Sequence, residues 1–508
     1  MSFEHRLPKN SESYWLQSEQ LTNFQQLHKD IHTDVVIIGA GITGITLAHL
    51  LTQSGVKVVL LDADRIMNGT TGHTTAKVTV QHGLIYDKLI KQIGVEKAKL
   101  YFEANNQALD FVKNTVSQCK IQCDFSEQDA YVYTNKDEYM EELVKELEAY
   151  KQIGINGELV NDLPISIPVK RAIVVRNQAQ FHPVKYLNHL VEEMMKNGCI
   201  VIEETTAINI DYSTPKKVLT NRNHEIKAKK VVIATHFPFY DLKGLFFARL
   251  EPQRSYVVAA RRKQNYQGGM YISAESPTRS IRSTPVKDGE HLLLIGGEGH
   301  KVGQDADMMN NYEILSQFTS EHFQVEDFPY RWSAQDLVTM DDVPYVGNIT
   351  ENEQDVYVAT GYAKWGMTNG TAAALLLSDM ILGRDNQYTN LYSPSRFSLN
   401  PTLKKLVSTN LDVAKHLIKG KLENPERTKE DFQQNEGGVI LHNGKRAGCY
   451  KDEQGIVHIV DTTCSHLGCE VAWNNSERSW DCPCHGSRFS YKGEVLEGPA
   501  ETPLEKIE

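Results

Sequence analysis

The 508-residue chain has no apolar stretch long enough to cross a bilayer. Its longest apolar runs, such as VVLL and AAALLL, fall far short of the roughly 20 residues a membrane helix needs, and the opening MSFEHRLPKNSESYWLQ has no apolar signal core. A soluble, cytoplasmic protein with no transmembrane segment is therefore expected. There is no basic tract either, and a net charge of −11 argues against nucleic acid or an anionic membrane as partner. Cysteine is scarce. Of eight, four crowd between positions 464 and 484, and the others (Cys119, Cys123, Cys199 and Cys449) form no second metal motif and read as reduced thiols. At this length one core does not suffice, so two or three domains are expected.

What is present is most specific at the C-terminal end, in TTCSHLGCEVAWNNSERSWDCPCHGSRFSYKGEVLEGP. Cys464-x-His466 and Cys482-x-x-His485 put a thiolate and an imidazole on each of two loops, with fifteen residues between His466 and Cys482. Two thiolates and two imidazoles suit a tetrahedral zinc or a [2Fe–2S] cluster. Cys469 and Cys484 add two further sulfurs in the same loops. CSHLGC and CPCHGS together resemble the Rieske family, and Gly498-Pro499-Ala500 resembles its third, proline-containing loop. The resemblance implies Cys464 and Cys482 on one iron, His466 and His485 on the other, and a Cys469–Cys484 disulfide tying the loops together. One position departs from the respiratory members, which have Tyr two residues after the Ser of CHGS. Here Ser487 is kept but Phe489 stands in that place. Loss of a donor to a cluster sulfur is expected to lower the potential within the Rieske range of about −150 to +300 mV.

Near the front, Asp34-Val-Val-Ile-Ile reads as a buried strand, Gly39-Ala-Gly41-Ile-Thr-Gly44 as a glycine turn, ITLAHLLTQSG as a helix and VKVVLLD as a second strand. In this βαβ pattern Gly39 makes the turn, Gly41 admits a pyrophosphate to the helix N-terminus, and Gly44 permits close packing. Asp62, 23 residues after Gly39, stands where an acid holds a ribose hydroxyl. The small-residue run Gly69 to Ala76, with Thr74 and Thr75, would let backbone and hydroxyls crowd a cofactor. No second complete GxGxxG follows a strand, since LLLIGGEGHKVG has its glycines misspaced, which argues against a pyridine-nucleotide-driven reductase.

Five ordered segments resemble the DAO-type FAD-dependent oxidoreductases, the family of glycine, sarcosine and D-amino-acid oxidases. They are QFHP, EETTAINI, KKVVIATH, RWSAQDLVTMDDVPYVG and YVATGYAKWGMTNGTAAALLLSDMILG. The resemblance implies FAD contacts at Gly39, Gly41, Gly44, Asp62, Thr74, Thr75, Ala207, Gly361, Met367 and Thr368. The last two open a helix whose unpaired N–H groups would face the pyrimidine edge of the flavin. No spare cysteine lies in the late glycine motif, so FAD is expected to be bound without a covalent link, although His73 near the glycine turn leaves that open. Arg254, Arg282 and Lys364 are candidates to clamp a carboxylate or polarise the flavin, Arg254 and Lys364 being the assigned catalytic pair. Tyr256, Tyr271 and Trp365 are candidate pocket walls, and His300 is ambiguous.

The expected fold is an α/β FAD-binding Rossmann-type domain with an inserted antiparallel-sheet substrate domain, plus a small all-β Rieske domain. The expected division is an N-terminal extension at 1–30, the oxidoreductase at 31–397 with its substrate-side sheet at about 245–330, a helical and charged linker at 398–434, and the Rieske part at 435–508. Asn443-Gly444 and Gln454-Gly455 signal hairpins leading into Cys464. FAD takes two electrons together and a [2Fe–2S] cluster passes one. The combination points to oxidation of a small amine or amino-acid-like substrate, with single electrons leaving through the cluster to an external one-electron carrier, as a dehydrogenase rather than an oxidase. Flow in the opposite direction, and a flavin/iron–sulfur redox sensor, are the alternatives.

Overall fold

The computed structural model describes residues 7–8, 11–239, 244–262, 266–286, 289–303, 307–396, 425 and 427–508. The connector read at 398–434 lies outside them as far as residue 424, and again at 426.

The apolar strands VVII and VVLL are buried along their length, as strands covered on both faces must be. They lie in an eight-stranded sheet whose main path runs Tyr345–Thr350, Glu353–Thr360, Glu225–Ile233, Ile31–Ile38, Val58–Leu61, Ile200–Ile202. The four central and outer pairings from Glu353–Thr360 to Ile200–Ile202 are parallel. Helices Ile42–Gln53 and Gly366–Leu382 pack on this sheet and on each other. Two glycines set that packing. A Cβ at Gly44 would lie 1.9 Å from the Gly39 carbonyl oxygen, and one at Gly370 would lie 2.8 Å from Ile42 Cγ2 and 2.9 Å from Thr43 Oγ1.

A nine-stranded sheet, mostly antiparallel, forms a second layer, with main path Val325–Thr339, Leu250–Arg262, His291–Lys301, Arg279–Pro285, Met270–Ser273, Ser126–Thr134, Arg171–Gln180, Lys77–Val78. It draws strands from residues 77–180 as well as from the 245–330 stretch that the sequence signalled. Side chains alternate across a strand, so each face of this sheet carries its own set. On the long strand Val325–Thr339, Trp332 faces the parallel layer, its Nε1–H donating to the His73 carbonyl at 2.8 Å. Arg331, Ser333 and Gln335 face the other way.

On that far face sits the C-terminal β unit. It has a three-stranded sheet, Glu436–His442, Lys445–Lys451 and Val457–Asp461, and a four-stranded one made of short strands between Ala472 and Glu497. Asn443 and Gly444 both take positive φ in the tight turn their pairing predicts. Arg331 donates to the Ser476 carbonyl, Tyr312 Oη to Glu477 at 2.7 Å, and Asn475 to Asp307 at 3.0 Å. From the N-terminal extension Trp15, fully buried, donates to the Thr74 carbonyl at 2.7 Å and so fixes the small-residue loop from outside.

Overpacking the helix crossing is expected to be costly. Gly370→Ala should lower stability by about 1–3 kcal/mol and weaken retention of the nucleotide, read by thermal unfolding and by bound flavin per chain.

Candidate cofactor sites

The cysteine–histidine loops converge as the chemistry of a cluster requires. Loop one is closed by Cys464 N–H to the Cys469 carbonyl at 2.7 Å, and loop two by Cys482 N–H to the Ser487 carbonyl at 2.8 Å. A Cys469–Cys484 disulfide joins them. Cys464 and Cys482 are buried free thiols in mutual contact. The Cys464 thiol is pulled down to about 7, chiefly by the Cys482 thiol beside it, against the effect of burial, with the His466 N–H and the Ser487 hydroxyl adding to the pull. Ser487 Oγ in turn accepts the Ala500 N–H at 3.0 Å, so the third loop braces the donor to the sulfur. The two imidazoles lie 5.0 Å apart, centroid to centroid, and each leaves its Nδ1 buried and without a hydrogen-bond partner among the described residues. Burial brings His466 down to about 4 and His485 to about 3, so both rings are uncharged and each keeps one unprotonated nitrogen, as a ligand must. Two thiols, two orphaned imidazole nitrogens and a tie that a zinc site does not need fit a [2Fe–2S] cluster with mixed ligation.

The nucleotide cradle lies in the other layer. A Cβ at Gly39 would meet the Ala234 carbonyl oxygen at 2.4 Å, and one at Gly41 the Thr71 hydroxyl at 3.0 Å. Asp62, at the end of the second parallel strand, accepts the Ala40 N–H at 2.7 Å and so holds its carboxylate against the glycine turn. Two helix N-termini meet there. Neither Ile42–Gln53 nor Gly366–Leu382 has a side-chain cap of its own at its N-cap residue, and Gly370 brings them together, with Thr43 Oγ1 2.8 Å from Tyr362 Oη. Their dipoles add on one spot, which favours an anion. Glycines that a Cβ would fill, beside two convergent helix N-termini of which one is capped only by the Thr71 hydroxyl on the Ile42 N–H at 3.0 Å, fit the pyrophosphate and pyrimidine ends of FAD.

The sequence-assigned residues are distributed between these sites. Thr74 Oγ1 accepts the Ala76 N–H at 2.9 Å, the Thr75 carbonyl accepts from Arg282 at 2.9 Å, and Met367 and Thr368 are buried at the start of the late helix. Gly361, at φ 82°, lets Thr339 approach. Ala207 is buried at the start of an edge hairpin, two residues beyond Thr205, whose N–H donates to the Asp62 carbonyl. Lys364, at φ 72°, extends toward Gly299, whose missing Cβ would sit 2.7 Å from Nζ. Lys364 is exposed, yet desolvation by the surrounding protein lowers its pKa, and Asp336 opposes the change.

Arg254 is not brought to the cofactor side. Its strand parity sends it to the far face, where it donates to Ser333 Oγ at 2.6 Å and pairs with Glu497 at 3.2 Å. The Arg282 guanidinium is held by the carbonyls of Thr75, Ala76 and Ser283, which leaves it as a brace for the small-residue loop. Tyr256 Oη contacts His300 Nε2 at 2.9 Å, Tyr271 stacks on Tyr131, and Trp365 stacks on His82 at 4.7 Å. Three residues were missed by sequence reasoning. His82 Nε2 lies 2.9 Å from Thr368 Oγ1 and its Nδ1 2.7 Å from Tyr101 Oη. Lys77 directs its Nζ to the Tyr271 carbonyl at 3.1 Å and to Ser280 Oγ, on the cofactor face of the antiparallel sheet, with no ion pair among the described residues. Gln335 is buried on the far face of the antiparallel sheet, against Gly486 of the iron–sulfur unit. Lysine directly after TTA was a signal within reach, whereas Gln335 carried none.

Fold and sites define a flavin-dependent oxidoreductase joined to an iron–sulfur domain. Residues 34–380 match the family described as FAD dependent oxidoreductase, DAO, to which the chain belongs, and residues 424–508 match the Rieske [2Fe-2S] domain. Its cofactors are FAD and a Rieske-type cluster. The chain is 48% identical over 508 residues, the full length of both, to YhfW of Bacillus subtilis, a protein named for a Rieske 2Fe-2S iron–sulfur centre. It is 22% identical to gamma-glutamylputrescine oxidoreductase of Escherichia coli, across 76% of this chain and 93% of that one. Glycine oxidase from Geobacillus kaustophilus superposes with a TM-score of 0.62 at 16% identity, over 72% of this chain and all of that one, a likeness of fold. No helix among the described residues is long and apolar enough to cross a membrane.

Cys464→Ser should abolish the EPR signal of the reduced cluster while the flavin absorbance stays. Phe489→Tyr should raise the cluster potential, measured by redox titration.

Proposed function

We propose that this protein is a cytoplasmic dehydrogenase that oxidises a small amine or amino-acid-like substrate at FAD and delivers the electrons singly, through the Rieske cluster, to an external one-electron carrier. FAD supplies a two-electron acceptor for the substrate C–H bond and the cluster a one-electron store. The observation that carries this reading is the attachment of the cluster unit to the far face of the very sheet whose near face lines the cofactor recess. A reductant formed on one side then has an acceptor on the other. The names of the relatives, gamma-glutamylputrescine oxidoreductase and glycine oxidase, support an amine or amino acid as substrate.

Within the recess the chain's own groups have distinct tasks. The Lys364 ammonium and the convergent helix ends hold negative charge at the cofactor. His82 keeps Thr368 in place. Its Nε2 carries the proton, because it faces the Thr79 carbonyl at 2.8 Å, and Tyr101 then donates to Nδ1. Lys77 is the group best placed for a substrate carboxylate. Burial, with the nearby Arg282 charge, brings it down to about 7, and an anion arriving beside it would restore its charge.

Anaerobic mixing with a panel of amines and amino acids should bleach the flavin band within a turnover, and bleaching by dithionite or reduced ferredoxin alone would reverse the assigned direction. Lys77→Met should raise KM for carboxylate-bearing substrates by about 10–100-fold and leave simple amines unaffected. Because only protonated lysine binds an anion, affinity for those substrates should weaken as pH rises through about 7, and this dependence should vanish in the variant.

A further inference from the structure

The cofactor recess and the cluster unit lie on opposite faces of one sheet, so the two-electron and one-electron halves of the proposed reaction are separated by a wall of protein. Gln335 touches both sides of it. On the cofactor side its carbonyl accepts the Thr70 hydroxyl at 3.1 Å, within the small-residue loop that also caps the nucleotide-binding helix through Thr71 and Ile42 N–H. On the cluster side its side-chain amide packs against Gly486, the residue after ligand His485. A Cβ built there would lie 2.9 Å from Gln335 Nε2, 3.0 Å from Oε1 and 2.7 Å from Pro252 Cβ.

The seat is reciprocal. Gly303, at φ 70°, admits Pro483, the residue after ligand Cys482, whose Cα would be 2.6 Å from a Cβ at that position. Each side thus contributes a glycine that the other closes upon, Gly303 under the backbone of Pro483 and Gly486 under the side chains of Gln335 and Pro252, and the two contacts flank the loop Cys482–His485. The burial of the histidines follows this asymmetry, with His485 2% exposed and His466 partly open. Gln335 Oε1 is buried without a hydrogen-bond partner among the described residues, so the amide is retained at a cost that hydrogen bonding does not offset. Around it Arg254, Glu497, Arg488 and Asp481 form a charged chain that locks the face, with Arg488 to Glu497 at 2.9 Å and to Asp481 at 3.1 Å.

We propose that the contact Thr70–Gln335–Gly486 is the crossing point for electrons between FAD and the cluster, and that Gln335 is the positioning residue that sets it. The inference rests on the reading that the two cofactors exchange electrons. Two electrons taken from the substrate's C–H bond at FAD leave one at a time through this contact. The external one-electron carrier reoxidises the cluster after each, and the substrate's protons leave to solvent.

The test uses the full holoprotein. Flash photoreduction of the flavin by an external sensitiser is followed by the EPR signal of the reduced cluster, and hydrogen exchange is read separately at residues 482–487. Gln335→Ala should keep both cofactor spectra and flavin bleaching, lose cluster reduction on the wild-type time-scale, and speed exchange at 482–487 but not at 464–469. Gln335→Met, which refills the contact without an amide, should restore transfer. Wild-type rates and exchange in Gln335→Ala would overturn the crossing point. Absence of any flavin–cluster exchange in the wild type would instead overturn the functional reading beneath it, and unchanged protection of 482–487 in Gln335→Ala would remove the seat itself.

Discussion

The alternation of side chains across one β-strand is the constraint on which the rest of this molecule depends. In Val325–Thr339, Trp332 points to the small-residue loop of the nucleotide layer, and the odd positions Arg331, Ser333 and Gln335 point to the face that carries the iron–sulfur unit. A shift of one residue in register would exchange the two sets and put an arginine into the recess and an indole on the docking face. The pairing with Leu250–Arg262, continuous from Leu250 to Ala259, prevents that shift. It also sets Arg254 opposite Gln335, so that the ion pair with Glu497 and the contact with Gly486 fall side by side.

Electrostatics on the near face come from backbone more than from side chains. Two helix N-termini brought together by Gly370 make a positive focus without a buried arginine, and this matters because the buried guanidiniums are committed elsewhere, Arg282 to carbonyls and Arg254 to the far face. Two lysines on this side, Lys77 and Lys364, have pKa values drawn downward by desolvation. Lysine suits such a place because it can exist uncharged until a partner arrives, whereas arginine cannot.

Much of this was legible in the residues. The glycine turn, its flanking strands, the acid at Asp62, the paired cysteine–histidine loops and the Asn443-Gly444 hairpin are local patterns, in which residue type and spacing dictate geometry within a few positions. What was not legible is non-local. The strand at 126–134 joins the antiparallel sheet beside Met270–Ser273, Ala130 pairing with Met270, and 171–180 joins it only through 126–134, so no local signal marks either as a member. Arg254 was assigned to the substrate because a cation in a substrate-side strand is a reasonable clamp. Its parity relative to Trp332 decides the matter, and parity shows only once both faces have been given occupants. Lys77 and Gln335 were missed for the same reason, since each acquires its meaning from a neighbour distant in sequence.

The reciprocal glycine seat has a consequence for how the protein meets the rest of the cell. A redox head pinned by Arg254, Tyr312, Asn475 and two interlocking prolines does not travel to its client. In the proposed reaction the electron carrier would do the travelling, and would meet the iron–sulfur centre on the side where His466 is partly exposed. Throughput of that proposed reaction, when the carrier is scarce, would be governed by encounter frequency, and ionic strength would control flux without reaching the buried contacts.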